Sequence, residues 1–158
     1  MSSQQNGPGP DPQSDDRPTA LSVIGEMQAD RAEIVSELRQ RALALEGAEE
    51  RTLYDSFCRQ WTPAYYARGK QLFHVHDFRA GLRATMFVGS RTLEPFVLES
   101  GALSPEMRLI VAETRVPRGT GMFKVPLTST DDVTGFMELV RIKWAIAWDD
   151  PQRAKRPA

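Results

Sequence analysis

The chain has 158 residues and a net charge of −1, and removing residues 1–18 and 149–158 leaves sixteen basic and sixteen acidic residues. So even a balance lacks the one-signed basic face through which proteins hold nucleic acid, and no nucleic-acid partner is expected. One cysteine excludes an intrachain disulfide and fits a reducing cytoplasm, and no apolar run approaches the roughly 20 residues that cross a bilayer, so no membrane partner is expected either.

Residues 1–18 are rich in Gly, Pro, Ser, Gln and Asp, too polar to offset the entropy of ordering, and they read as a disordered tail without the basic and apolar segments of a secretory signal. Residues 149–158 read as a second flexible tail, which leaves 19–148 as a single domain. "ALSVIGEM" suggests a turn or short helix. "DRAEIVSELRQRALALEG" predicts a helix over 30–47, with Asp30 as cap, Glu33 at capping-box spacing and Gly47 as the stop. Its stripe is Ile34, Val35, Leu38, Ala42 and Leu45, at the 3.6-residue period. A second helix is expected over 48–61, with Leu53, Tyr54, Phe57, Cys58 and Trp61 on one face and a stop before Pro63. Cys58 then reads as a small core residue.

From there the period shortens to two. "AYYAR", "QLFHVHDF" and "LRATMFV" predict three strands, and "TLEPFVLES" fits neither period well. "SPEMRLIVAET" is a helix with Ser104 as N-cap, Pro105 at its first position, and Met107, Ile110, Val111 and Thr114 inward. "RGTGMFKVPL" gives a fourth strand with Phe123, Val125 and Leu127 inward. The last helix starts near Thr130, where Asp131 and Asp132 suit the positive helix end, and runs to about Ala147. The expected fold class is α+β, a small, mainly antiparallel sheet of about four strands with helices packed on it.

Both histidines of the chain, His74 and His76, fall two apart on one expected strand and therefore on one face. The loop after them decides their neighbours. With Arg79 and Ala80 in a turn and Gly81 left-handed, the loop has three residues, and His76 meets Ala84 while His74 meets Met86 on a largely apolar face. A two-residue loop would set them beside Arg83, Thr85 and Phe87. The three-residue loop is preferred because glycine then stands where φ must be positive. A His-x-His pair can chelate a metal, but a catalytic zinc usually takes three protein ligands. No third histidine exists, Asp77 lies on the opposite strand face, and the site would need a distant Asp or Glu. No metal site, no cofactor and no catalytic residue is therefore assigned. A nucleophile pair of Cys58 with either histidine has nothing in the sequence to bring it together, and "RGTG" at 118–121 fits no phosphate-binding fingerprint.

The strongest local signal is electrostatic. Between Tyr65 and Arg91 stand Arg68, Lys70, Arg79, Arg83 and Arg91 against Asp77 alone, with Trp61, Tyr65 and Tyr66 beside them. Such an aromatic and cationic rim suits an anionic or aromatic small molecule, held by ion pairs and stacking. A solvated sheet edge whose charges discourage strand pairing would look the same. The candidate binding residues are Trp61, Tyr65, Tyr66, Arg68, Lys70, His74, His76, Arg83, Lys124 and Lys143.

From Trp61 to Trp144 the pattern resembles an uncharacterised bacterial family of unknown function, akin to small YjbR-like α+β domains. The resemblance rests on "GKQLFHV" and "RATMFVG" as successive strands, "LSPEMRLIVAETRVPRGTGMFKVPL" as helix, loop and strand, and "DDVTGFMELVRIKW" as the closing helix. It implies the α+β fold and matches Lys70 and Lys143 to recurrent lysines of that pattern, and it names no catalytic residue. The leading reading is a non-enzymatic, cytoplasmic, small-molecule-binding or regulatory domain for an anionic or aromatic ligand. The alternatives are an enzyme using His74 or His76 as general base, and a protein-interaction domain that dimerises through the 30–47 helix.

Overall fold

The computed structural model describes residues 16–116 and 118–148, and in it the change of period comes earlier than the sequence suggests. The expected tails lie outside the described residues, apart from Asp16, Arg17 and Pro18. The elements run α1 (Ala20–Gly25), α2 (Ala29–Leu43), β1 (Ala48–Asp55), β2 (Gln60–Ala67), β3 (Lys70–Phe78), β4 (Gly81–Gly89), α3 (Glu94–Glu99), α4 (Pro105–Thr114), β5 (Thr120–Pro126) and α5 (Thr130–Trp148). The strands form one antiparallel sheet in the order β1-β2-β3-β4-β5. The class is α+β, with five strands in place of about four. No helix among the described residues is long and apolar enough to cross a membrane.

The fifth strand replaces the helix expected over 48–61. Leu53, Tyr54, Phe57, Cys58 and Trp61 mimic a helical stripe, yet they belong to two strands and the turn between them. Asp55 pairs with Gln60 to close a four-residue loop. The Asp55 Oδ1 atom accepts from the backbone N–H of Phe57 at 2.8 Å and of Cys58 at 3.1 Å, an Asx-type turn that competes directly with helix. Arg59, at φ 54°, completes the reversal. Pro63 lies inside β2 opposite Thr52, while the β2–β3 register begins only at Ala64. Beyond that point the Gln60 side chain donates to the Asp77 carbonyl at 3.1 Å and bridges the diverging strands.

The other expected helices form. α2 starts one residue before Asp30, which sits in its first turn and does not cap it, since Gln28 holds the cap position. α4 is capped by Ser104, which accepts from the Met107 N–H at 3.3 Å. The ambiguous segment yields the short α3. The stripe of α2 packs inward: Val35, Leu38 and Ala42 are fully buried in the core shared with α5 and the sheet, so the surface proposed for dimerisation is already covered within the chain.

The β3–β4 hairpin overturns the expected register. Phe78 pairs with Gly81, His76 with Arg83 and His74 with Thr85, so the loop has two residues, Arg79 and Ala80, and Gly81 does not have a positive φ. The reason is the alternation of β4. Leu82, Ala84, Met86 and Val88 are all buried, and this register puts them on the face of Phe73 and Val75. A one-residue slip would turn that whole set outward, and burying four apolar side chains outweighs the turn preference of one glycine.

Side chains alternate along each strand, and the helices cover only one of the two faces so made. Phe73 of β3 meets Phe136 of α5 edge-on at 5.2 Å, with Tyr65 stacked on it at 4.9 Å. Phe123, Val125 and Leu127 extend this face inward, as their spacing predicted. Asp77 also faces the helices, where Arg31 of α2 reaches its carboxylate at 2.6 Å. His74, His76, Phe78, Arg83, Thr85, Phe87, Met122 and Lys124 point the other way, and among the described residues no helix packs over them.

Candidate functional site

The open face is not uniformly exposed. Its middle is a cleft of about 390 Å³ whose floor is His74, His76 and Thr85 and whose walls include Phe78, Arg83, Phe87, Met122 and Lys124. The β1–β2 turn reaches over one side, bringing Asp55 and the 90 % exposed Phe57 into the same lining. Small neighbours let the floor sink. Ala64, the β2 partner of His74, is fully buried, Thr85 is 1 % exposed and His74 only 7 %.

Each imidazole has a defined partner. The Nδ1 of His74 lies 2.7 Å from Gln71 Oε1, and the Gln71 amide nitrogen in turn donates to Tyr66 Oη at 3.3 Å. An amide oxygen only accepts, so Nδ1 of His74 carries the proton and Nε2 keeps its lone pair. Burial, reinforced by the neighbouring His76, lowers the pKa of His74 to about 4 and holds it neutral. His76 lies edge-on to His74, with ring centroids 4.6 Å apart. Its Nε2 donates to Asp55 Oδ2 at 2.6 Å, and its Nδ1 faces the Thr85 hydroxyl at a longer 3.4 Å.

Burial alone would raise the Asp55 pKa, but the N–H of Cys58, His76 and the N–H of Phe57 together hold it below the ordinary carboxylate value. The result is an ionised carboxylate with one oxygen committed to the backbone turn and the other to His76. Asp55, His74 and His76 each offer one donor atom, a carboxylate oxygen or a ring nitrogen, within 4.8 Å of the others. The distant carboxylate that a histidine site would need is therefore supplied by a residue that the expected second helix concealed. The signal for it was the alternation of "EERTLYD" running into an Asp-Ser turn.

Of the ten residues singled out from the sequence, four meet in this cleft: His74, His76, Arg83 and Lys124. Tyr66 supports it from behind through Gln71, and also lies under the Arg51 guanidinium at 4.4 Å. Tyr65 is fully buried on the helix side, where burial and the nearby Glu50 charge push its phenol well above the ordinary value. Trp61 packs edge-on to Tyr54 at 5.6 Å, beside α1. Arg68 sits at φ 52° in the two-residue β2–β3 turn and stacks 3.8 Å over Trp148. The continuous rim read from the sequence is thus divided between the two faces and the sheet ends.

Lys70 and Lys143 share a second depression of about 440 Å³ at the end of the sheet, and Phe87 lines both this depression and the cleft. Lys143 Nζ donates to the Phe87 carbonyl at 2.7 Å, and burial, with Lys70 nearby, lowers its pKa to about 8. Cys58 lies in the β1–β2 turn, a correction to the core position expected of it. Burial and the Asp55 charge push its thiol up, away from the thiolate a nucleophile needs. No family model, no curated protein and no solved structure matches the chain.

Proposed function

We propose that the protein binds a small anionic or aromatic molecule on the open face of its sheet, as a non-enzymatic, cytoplasmic ligand-binding or regulatory domain. The observation that supports this reading is the convergence, on a face that no helix of the described residues covers, of two positive side chains and three phenylalanines around a sunken imidazole pair. Arg83 and Lys124 would pair with a carboxylate or phosphate, and Phe57, Phe78 and Phe87 would cover an apolar or aromatic body. A space of about 390 Å³ suits a ligand of metabolite size. The kinship with bacterial YjbR-like domains belongs to the same proposal, with Lys70 and Lys143 in the adjoining depression as a secondary anion contact.

A thermal-shift screen of small carboxylates, phosphates and aromatic acids tests it. The expected result is a saturable rise in Tm that Arg83→Ala or Lys124→Ala abolishes while the melting of the unliganded protein stays the same. A screen without any such ligand overturns the reading. One observation favours a second reading, catalysis with His74 or His76 as general base: the 2.6 Å contact of Asp55 with His76 is the kind of brace that orients a catalytic imidazole. On that reading the ligand found by the screen is chemically altered on incubation, and His76→Gln stops the alteration without stopping binding.

A further inference from the structure

The open-face cleft contains more than a binding surface requires. A pair of histidines alone is weak reason for a metal, because imidazoles on a strand face are more often held by local hydrogen bonds. Here, however, a third donor of a different kind converges on them, and every donor is braced from behind. We propose that Asp55, His74 and His76 form a binding site for a divalent first-row transition metal such as zinc, with the remaining coordination positions open to the cleft.

The donor chemistry fits. Two imidazoles and one carboxylate make a mixed nitrogen–oxygen set of the type that holds zinc or iron(II) while leaving positions for a further ligand. Donors that bind at roughly 2.1 Å in a tetrahedral shell stand about 3.4 Å apart, so side-chain rotation has to open the Asp55–His76 contact from 2.6 Å while keeping the rest of a set already within 4.8 Å in reach.

Metal-binding histidines almost always donate their other ring N–H to a fixed partner. His74 already does so, with Nδ1–H on Gln71 Oε1 and the Nε2 lone pair free. On His76 the metal takes Nε2, and the proton now shared with Asp55 Oδ2 moves to Nδ1. The Thr85 hydroxyl, which faces that nitrogen, then turns from donor to acceptor. Asp55 keeps Oδ1 on the N–H groups of Phe57 and Cys58, and Oδ2 becomes available to the ion once it moves off its 2.6 Å contact with His76 Nε2.

The surrounding charges add a constraint. One carboxylate against Arg83 and Lys124 opposes a bare dication, so the ion is best held when an anion completes its shell and lies against those two side chains. The inference rests on the ligand-binding reading for that last step and on nothing beyond the three donors for metal uptake itself.

The test uses the full chain, stripped with a chelator and dialysed. Titration with cobalt(II), followed by its visible d–d absorption, and with zinc, followed by calorimetry, is expected to give one saturable site. Asp55→Asn, His74→Gln and His76→Gln each weaken it at least about tenfold, and Thr85→Val, which keeps all three ligands and the local volume, weakens it about 10- to 100-fold. Thermal melts of each variant exclude unfolding as the cause. The proposal is overturned if the wild-type protein shows no one-to-one uptake, or if affinity is unchanged in the ligand variants. Repeating the small-molecule screen in chelator separates the two ideas. A ligand bound by protein that takes up no metal leaves the ligand reading standing alone. Metal uptake without any anionic or aromatic ligand leaves the metal site standing alone.

Discussion

On β3, Phe73 and Val75 point toward the helices, while His74 and His76, each one residue further on, point away. The same strand thus contributes to two environments of opposite character. The covered face is apolar and made of side chains that touch one another, with Asp77 and its Arg31 partner at its margin. The open face has imidazoles, hydroxyls and charges arranged around a space. Covering a face with helices supplies the apolar area that stabilises the fold, and leaving the other bare keeps polar groups accessible at little stability cost. This comparison predicts that substitutions will separate cleanly by face.

The largest effect belongs to the covered face. Phe136→Ala removes the ring that meets Phe73 and should cost about 3–5 kcal/mol in urea unfolding. The same truncation at the exposed Phe57 should change stability by less than about 0.5 kcal/mol while weakening any ligand that stacks there. Equal losses at the two positions would break the comparison, because they would mean that Phe57 is packed in solution.

That division also explains what the sequence made legible. The covered face writes itself in apolar periodicity, so α2, α4, α5, β3, β4, β5 and the second half of β2 were readable, as was the Ser104 cap, while Gln60 and Trp61 at the start of β2 fell inside the expected helix. β1 was not. It is an edge strand of mostly half-buried or exposed residues that adds nothing to the apolar core, and the hairpin turn spaced its aromatics like a helix. With β1 went Asp55, a site residue whose partner His76 is 21 positions away and two strands over. The histidines themselves were visible, but their face was not. It was fixed by the burial of Leu82, Ala84, Met86 and Val88, a whole-strand property that local turn chemistry at Gly81 could not reveal.

The next effect sits where the two faces meet. The Lys143 ammonium, reaching from α5 to the Phe87 carbonyl of β4, is half-buried, and its pKa falls from 10.5 in the free side chain to about 8. Between those values the unfolded chain keeps a proton that the folded chain has shed, so stability should rise with pH across that window. Below pH 8 both states are charged and the burial cost is present in full. Lys143→Met should remove the rise, seen as a difference of about 2 kcal/mol between the wild-type and variant profiles in chemical unfolding. Parallel profiles would place the amine in water.

The smallest effects decide which face the histidines occupy, and they come from two glycines in adjacent hairpins. Gly69 has φ 77° and follows Arg68 at φ 52°, a pairing whose twist suits a two-residue hairpin. Gly69→Ala forces a side chain into the left-handed region and should cost about 1 kcal/mol. Gly81 closes its hairpin in an ordinary backbone region, and a Cβ added there meets nothing within 4 Å. Gly81→Ala should therefore be neutral or stabilise by up to about 0.5 kcal/mol, by restricting the unfolded chain. If Gly81→Ala instead destabilises as much as Gly69→Ala, Gly81 is left-handed, the loop has three residues, and His74 and His76 belong with Met86 and Ala84. The cleft and its three converging donors depend on that one-residue difference, which makes the mildest substitution the most discriminating.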